Sequence, residues 1–83
     1  MKNVHIELVK QWLADPTTVS PEELKINAEA ANAAAMAVEA DFSADFAASY
    51  LVNHAVTVAA IAAAAGATDA ATDWVKRYEE LTK

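Results

Sequence analysis

Alanine constrains this fold more than any other feature of the sequence. The 83-residue chain contains 22 alanines, which leaves 24 larger apolar or aromatic side chains among its 46 hydrophobic residues. Alanine has the highest helix propensity because it loses no side-chain entropy on folding, but each alanine buries little apolar area. The sequence therefore predicts favourable helices around a thin core. Close packing of alanine faces, or a core shared between chains, would compensate for this.

The remaining composition narrows the class of protein. One glycine and two prolines exclude glycine-rich phosphate loops and leave few turn residues for a many-stranded β protein. The sequence has no cysteine, which excludes disulfides, thiolate metal sites and cysteine nucleophiles. Twelve acidic residues against six basic ones give a net charge of −6, which argues against direct binding of nucleic acid. We therefore expect one acidic domain spanning residues 1-83.

Local signals divide this domain into four helices, with approximate ranges 4-14, 21-41, 44-65 and 69-81. Asn3 is a candidate N-cap for the first helix, and Ser20 with Glu23 has the pattern of a capping box for the second. Gly66 suits a left-handed stop at the end of the third. No glycine or proline marks the break near residues 41–43, so one bent helix over 21–65 is the alternative. The sequence predicts an all-α fold, a three- to four-helix antiparallel bundle with Ala-rich close-packed middle helices.

The fourth helix is amphipathic. Its predicted inner face consists of Ala71, Trp74, Val75, Tyr78 and Leu81. On the outer face, residues four apart are expected to form two ion pairs, Asp73 with Arg77 and Lys76 with Glu80.

The third helix lies in a stretch without charge, because residues 46–68 contain no Asp, Glu, Lys or Arg. The stretch is long enough to span a membrane. However, it is rich in alanine, contains Asn53, His54 and Thr57, and lacks a flanking cluster of basic residues. We therefore expect a helix buried on most sides, in the monomer or in an oligomer, and no membrane partner. The N-terminus lacks the pattern of a secretory signal, which favours a cytoplasmic location.

No motif in the sequence indicates catalysis or a bound metal. Neither of the two histidines belongs to an HExxH pattern, and no serine lies in GxSxG. Residues 41–45 have the oxygen spacing of an EF-hand loop, but Phe46 and Val52 stand where that loop requires glycine and glutamate. Asp69 and Asp73 are spaced to share a cation, although acids at a helix start are the simpler interpretation. We predict no catalytic residues, no metal site, no cofactor and no enzyme activity.

One polar cluster interrupts the uncharged helix. Helical spacing places four residues on one face: Tyr50, Asn53, His54 and Thr57. We interpret them as a hydrogen-bonded polar seam that sets the register of packed helices, because buried polar groups need partners. A small-molecule pocket or a proton-transfer site around His54 is the alternative.

Acidic and aromatic side chains make up the candidate partner interface. The 50 residues between Lys25 and Lys76 contain six acids and no base, so all of the net charge lies there. Aromatic residues on the end helices are expected chiefly in the core and otherwise as interface anchors. The candidate interface residues are Glu39, Asp41, Asp45, Asp69, Asp73, Trp12, Trp74 and Tyr78.

The two ends of the chain resemble a group of small alanine-rich proteins encoded by tailed bacteriophages and some bacteria. The resemblance lies in residues 12–16 (WLADP), 20–24 (SPEEL), 27–28 (NA) and 74–81 (WVKRYEEL). Some of these proteins are described as immunity-like. The middle of this chain departs from the group in having more valine and less tyrosine. The resemblance implies a small helical protein, phage-encoded and active in the host cytoplasm on host or competitor machinery, and it transfers no catalytic residue.

These observations predict a small acidic non-enzymatic protein that binds and blocks or neutralises another protein. Negative surfaces attract basic partners, such as nucleic-acid-binding proteins. In a phage, such a protein would be an anti-defence inhibitor of the anti-CRISPR kind. The alternatives are a self-assembling structural protein built from Ala-rich helices and a membrane-active helical hairpin. The thin core also predicts a homo-oligomer, with a dimer expected.

Overall fold

The protein is described from a computed structural model that covers residues 3–39 and 46–82, with side chains for residues 3–36 and 51–82. These ranges contain four α-helices and no strand. The helices are α1 (Val4–Ala14), α2 (Pro21–Glu39), α3 (Phe46–Ala64) and α4 (Thr68–Leu81), and a short 3₁₀ turn, Pro16–Thr18, joins α1 to α2. The chain is therefore all-α.

Both predicted caps at the N-terminal ends of helices are confirmed. The side-chain oxygen of Asn3 accepts hydrogen bonds from the backbone N–H groups of His5 (2.9 Å) and Ile6 (3.2 Å). At the start of α2, the Glu23 N–H donates to the Ser20 hydroxyl oxygen at 3.1 Å, and the Ser20 N–H donates to the Glu23 carboxylate at 3.4 Å. These bonds satisfy N–H groups that the helix itself leaves without partners.

The end of α3 is also the one that the sequence predicts. Gly66 has a φ of +75°, in the left-handed region. The Ala67 N–H donates to the Ala62 carbonyl at 2.9 Å, and the Gly66 N–H donates to the Ala63 carbonyl at 3.0 Å. This pair of bonds is a Schellman motif, which ends the helix and satisfies its last carbonyls.

Helix α3 is the centre of the bundle, because it contacts α1, α2 and α4. Eight of the fifteen buried hydrophobic side chains in the described ranges are alanines. The buried side of α3 contains Ala55, Val56, Ala59, Ala60, Ala62 and Ala63. Small side chains allow neighbouring helices to approach closely. Larger core residues come from the other helices, chiefly Ile6, Val9, Trp12, Leu24 and Val75.

Helices α2 and α3 pack against each other, so they do not form one continuous rod. The predicted break near residues 41–43 lies outside the described residues. Within the described ranges, no helix has both the length and the apolar character needed to cross a membrane.

Two predictions for α4 are wrong. Among the described residues the one ion pair joins Lys10 to Glu79 at 3.4 Å, between α1 and α4, and neither four-residue pair within α4 forms. Arg77 lies over an aromatic ring instead of approaching Asp73. Leu81, expected on the inner face, is 46% exposed because it lies in the last turn of α4, at the rim of a groove.

Candidate functional site

The structure separates the residues of the predicted partner interface. Asp41 and Asp45 lie outside the described residues, and so does the side chain of Glu39. The side chain of Tyr50, which belongs to the predicted polar seam and not to this interface, is outside them too. Asp69 and Asp73 are exposed in the first half of α4. The remaining three candidates are aromatic, and each has a different environment.

Trp12 belongs to the core. Its side chain is 9% exposed and packs with Ile6 and Val9 in the main hydrophobic cluster. It is therefore unavailable as a contact for a partner. Of the two environments expected for the aromatic residues, core and interface, Trp12 has the first. Its position follows from the wide apolar face of α1, which buries residues three apart.

Trp74 and Tyr78 are half-buried and lie one turn apart on α4, yet they line different grooves. Tyr78 lines a polar groove of about 440 Å³ between α1 and α4, together with Lys10 and Glu79. Trp74 lines a second groove between α3 and α4. The two aromatic residues therefore do not form a single patch.

The second groove is the candidate functional site, and we call it the α3/α4 groove. It has a volume of about 410 Å³ and is open to solvent. Its lining residues are Leu51, His54, Trp74, Arg77, Glu80 and Leu81. Leu51 and Leu81 are 52% and 46% exposed, so the groove has an apolar rim around an aromatic floor.

Two neighbours contact the Trp74 ring. The His54 ring meets it edge-on, with centroids 5.3 Å apart and planes at 84°. The guanidinium carbon of Arg77 lies 4.8 Å from the centroid of the Trp74 ring. Edge-to-face aromatic contacts and cation–π contacts are both favoured by the ring quadrupole. Trp74 is thus a half-buried aromatic surface whose ring is contacted by both a second ring and a cation.

The described members of the predicted polar seam do not form one buried row. His54 is exposed in the groove, whereas Asn53 and Thr57 are half-buried. The Thr57 hydroxyl oxygen is itself buried and has no hydrogen-bond partner within the described part of the chain. Consecutive residues of a helix point about 100° apart, so Asn53 and His54 face different surroundings.

Sequence reasoning missed one buried polar link, between α1 and α2. The Asn27 side chain is 8% exposed, and its amide nitrogen donates to the backbone carbonyl of His5 at 3.2 Å. The amide oxygen lies 2.8 Å from the Nδ1 atom of His5. This oxygen can only accept, so His5 Nδ1 carries the proton and donates. The sequence does contain a signal for this link, because Asn27 lies directly beside the Leu24–Ala28–Ala31 apolar stripe of α2, where a polar side chain needs a partner.

The lining of the α3/α4 groove offers both apolar contact and charge. Leu51, Leu81 and Trp74 offer apolar contact, while Arg77 and Glu80 offer charge. Over the described ranges, no three His, Cys, Asp or Glu residues are grouped closely enough to hold a metal ion. This includes Asp69 and Asp73, which have no third ligand nearby. No family model matches the chain, and comparisons with curated proteins and with solved structures give no match.

Proposed function

We propose that this is a small, acidic, non-enzymatic protein that binds another protein in the α3/α4 groove and blocks the surface it covers. In this proposal the four helices form an antiparallel bundle, whose Ala-rich middle helices provide a rigid support for the groove. The observation that carries the proposal is the Trp74 ring, held by His54 and Arg77 between two exposed leucines.

The composition of the groove supports protein binding over other roles. Trp and Arg are enriched among residues that dominate the energy of protein interfaces, and such residues are found in pockets ringed by less important contacts. The exposed Leu51 and Leu81 side chains supply that ring here. A preformed aromatic surface also lowers the entropy cost of binding, because few side-chain rotations remain to be frozen.

Charge favours a partner that is basic as well as apolar. Helix α4 carries four acids, Asp69, Asp73, Glu79 and Glu80, against the two bases Lys76 and Arg77. The whole chain has a net charge of −6. Such a surface attracts basic proteins at long range and raises their association rate. Proteins that bind nucleic acid present surfaces of this kind, and the resemblance of the chain ends to phage-encoded proteins makes an anti-defence target the proposed biological context.

The test is affinity capture from a nuclease-treated bacterial lysate with three forms of the protein. The wild type is compared with Leu81→Glu, at the rim of the groove, and with Ile26→Glu, a matched change at a 60% exposed residue of α2. Both variants replace an exposed apolar side chain by the same acid. We expect one protein to be retained by the wild type and by Ile26→Glu and lost with Leu81→Glu.

Salt then tests the expected charge of the partner. At about 0.5 M salt the Debye length falls to a few Å, so steering by the acids of α4 should weaken while contact with Trp74 persists. Equal retention by Leu81→Glu and wild type would overturn the assignment to the groove. A bait that recovers only its own chain would favour the alternative function of self-assembly.

A further inference from the structure

The groove between α1 and α2 shares no lining residue with the α3/α4 groove, and we call it the α1/α2 groove. It has a volume of about 370 Å³ and is open to solvent. Its apolar walls consist of Val4 and Leu8 on α1 and of Ile26 and Ala30 on α2. Val4 is 73% exposed and Ile26 is 60% exposed, so each wall presents a large apolar side chain to solvent. The α1/α2 groove is therefore an apolar surface separate from the α3/α4 groove.

Two polar residues line the α1/α2 groove, and both offer hydrogen-bond acceptors. His5 and Glu23 are these residues. The Nδ1–H group of His5 donates to the buried Asn27 side chain at 2.8 Å, which leaves Nε2 of the neutral ring as an acceptor. The Glu23 carboxylate accepts one long bond, from the Ser20 N–H at 3.4 Å, and a carboxylate has room for several. A ligand of the groove must therefore supply donors.

The charges beside the α1/α2 groove are mostly negative. Glu22, Glu23 and Glu29 lie three or four positions from Ile26, which makes them its neighbours on the surface of α2, and all three are exposed. Lys25 is the one base of α2, and it lies one position before Ile26, about 100° around the helix. Within the described part of the chain, none of these four charged side chains forms an ion pair. The acids can therefore pair with charges from outside.

We propose that the α1/α2 groove binds a basic segment of another protein. One large apolar side chain of the segment enters between Val4 and Ile26, and a flanking Lys or Arg donates to Glu23 and to Nε2 of His5. Each apolar wall extends over four residues of its helix, about 6 Å, which suits a single anchoring side chain. An apolar anchor surrounded by matched polar contacts is the usual arrangement at the centre of a protein interface.

Charge complementarity selects this occupant over others. Nucleic acids and anionic membranes carry negative charge, so the three glutamates beside Ile26 would repel them. A second copy of the chain brings the same three glutamates and the single Lys25 to the groove, so it offers few bases to pair with them. A basic segment supplies opposite charge for the acids, N–H donors for the two acceptors and apolar contact for the walls. This proposal does not rest on the function proposed for the α3/α4 groove, because the two grooves have no residue in common.

An NMR titration of the isotope-labelled protein tests the chemistry of the occupant. The probe is a short amidated peptide composed of leucine and lysine, and the control peptide has glutamate at every lysine position. We expect the leucine–lysine peptide to shift the backbone amide signals of Val4, Leu8 and Ile26 and to saturate. The leucine–glutamate peptide should shift none of them. Equal shifts with both peptides, or no shift at these residues with the leucine–lysine peptide, would overturn the proposal.

Three variants then assign the binding to the α1/α2 groove. Ile26→Gln removes an apolar wall and should weaken binding of the leucine–lysine peptide about tenfold. Leu81→Gln is the matched control at the rim of the α3/α4 groove, and it should bind the peptide like the wild type.

Glu23→Gln removes a charge and should weaken binding severalfold with an unchanged melting temperature, because glutamine also completes a capping box. Wild-type affinity in Ile26→Gln would overturn the proposal. So would peptide binding that is lost only with Leu81→Gln, although that result would leave the function proposed for the α3/α4 groove standing.

Discussion

The guanidinium group of Arg77 lies over the ring of Trp74, three residues earlier on the same helix, with 4.8 Å between the guanidinium carbon and the ring centroid. The sequence had suggested Asp73 as the partner of this arginine. The Trp74 ring already packs against the core and against His54, whereas an ion pair between exposed side chains must order both of them for little gain.

Replacing Arg77 by Ala should therefore loosen Trp74. We expect a loss of about 0.5–1 kcal/mol in the free energy of unfolding, the usual size of an exposed cation–π contact. The fluorescence of Trp74 should also become more accessible to acrylamide. Lys76→Ala removes a neighbouring exposed charge without a ring contact, and its effect in urea unfolding should be smaller. An equal loss from Lys76→Ala would show that the ring contact contributes nothing.

Asn27→Ala should destabilise the protein more than any exposed polar substitution on α2. It removes both hydrogen bonds to His5 and leaves the half-buried ring N–H of His5 without its acceptor. The expected cost is about 1–3 kcal/mol, measured by chemical denaturation. Asn32→Ala is the control, because Asn32 is exposed on the same helix. If both variants unfold at the same denaturant concentration, the link between α1 and α2 does not stabilise the fold.

Gly66→Ala should destabilise the end of α3 although there is room for the added methyl group. No atom lies within 4 Å of a Cβ at this position, so the cost comes from the backbone alone. A φ of +75° costs an L residue with a Cβ about 1 kcal/mol. Gly66→Asn should lose less, since Asn tolerates this conformation. Thermal unfolding of the two variants gives the comparison, and a more stable Ala variant would contradict it.

The pKa of the Asp15 carboxyl is lowered from its ordinary value, chiefly by the hydrogen bond from the Thr17 hydroxyl and further by the Thr17 backbone N–H. A carboxyl whose pKa is lower in the folded than in the unfolded state stabilises the fold above its unfolded pKa. That stabilisation is lost as the pH falls through the folded pKa. The folded protein should therefore lose this contribution only in acid.

Thr17→Val tests this cause, because it removes the hydroxyl and leaves the backbone bond. In an NMR titration of the Asp15 carboxyl carbon, the variant should titrate at a higher pH than the wild type. Thr18→Val should leave the titration unchanged, since the Thr18 hydroxyl donates to the Asp15 backbone carbonyl and not to its carboxylate. A Thr17→Val titration that coincides with the wild type would assign the shift to the backbone bond alone.

The features that could be predicted from the sequence are local ones, namely the residues that begin and end the helices. The Asn3 cap, the Ser20–Glu23 capping box and the Gly66 stop all depend on bonds between residues at most five positions apart. Such contacts form wherever a helix begins or ends, so residue type and order suffice to predict them. The helical class follows from alanine for the same reason, because helix propensity is a property of single residues.

Contacts between different helices could not be predicted from the sequence. The sequence identified Trp74 and His54 as unusual residues, but not that they touch across α3 and α4. It placed Arg77 beside an acid and not over a ring, and it overlooked the bonds between His5 and Asn27, which lie 22 positions apart.

The sequence by itself thus determined the helical class, the starts of α1 and α2, the end of α3 and the uncharged character of α3. Tertiary structure decided which side of α3 is covered, which aromatic residue is buried and where a groove opens. The physical reason is that burial depends on how helices are rotated about their axes as they pack. An alanine-rich helix with apolar residues on every side carries no pattern that selects one rotation over another.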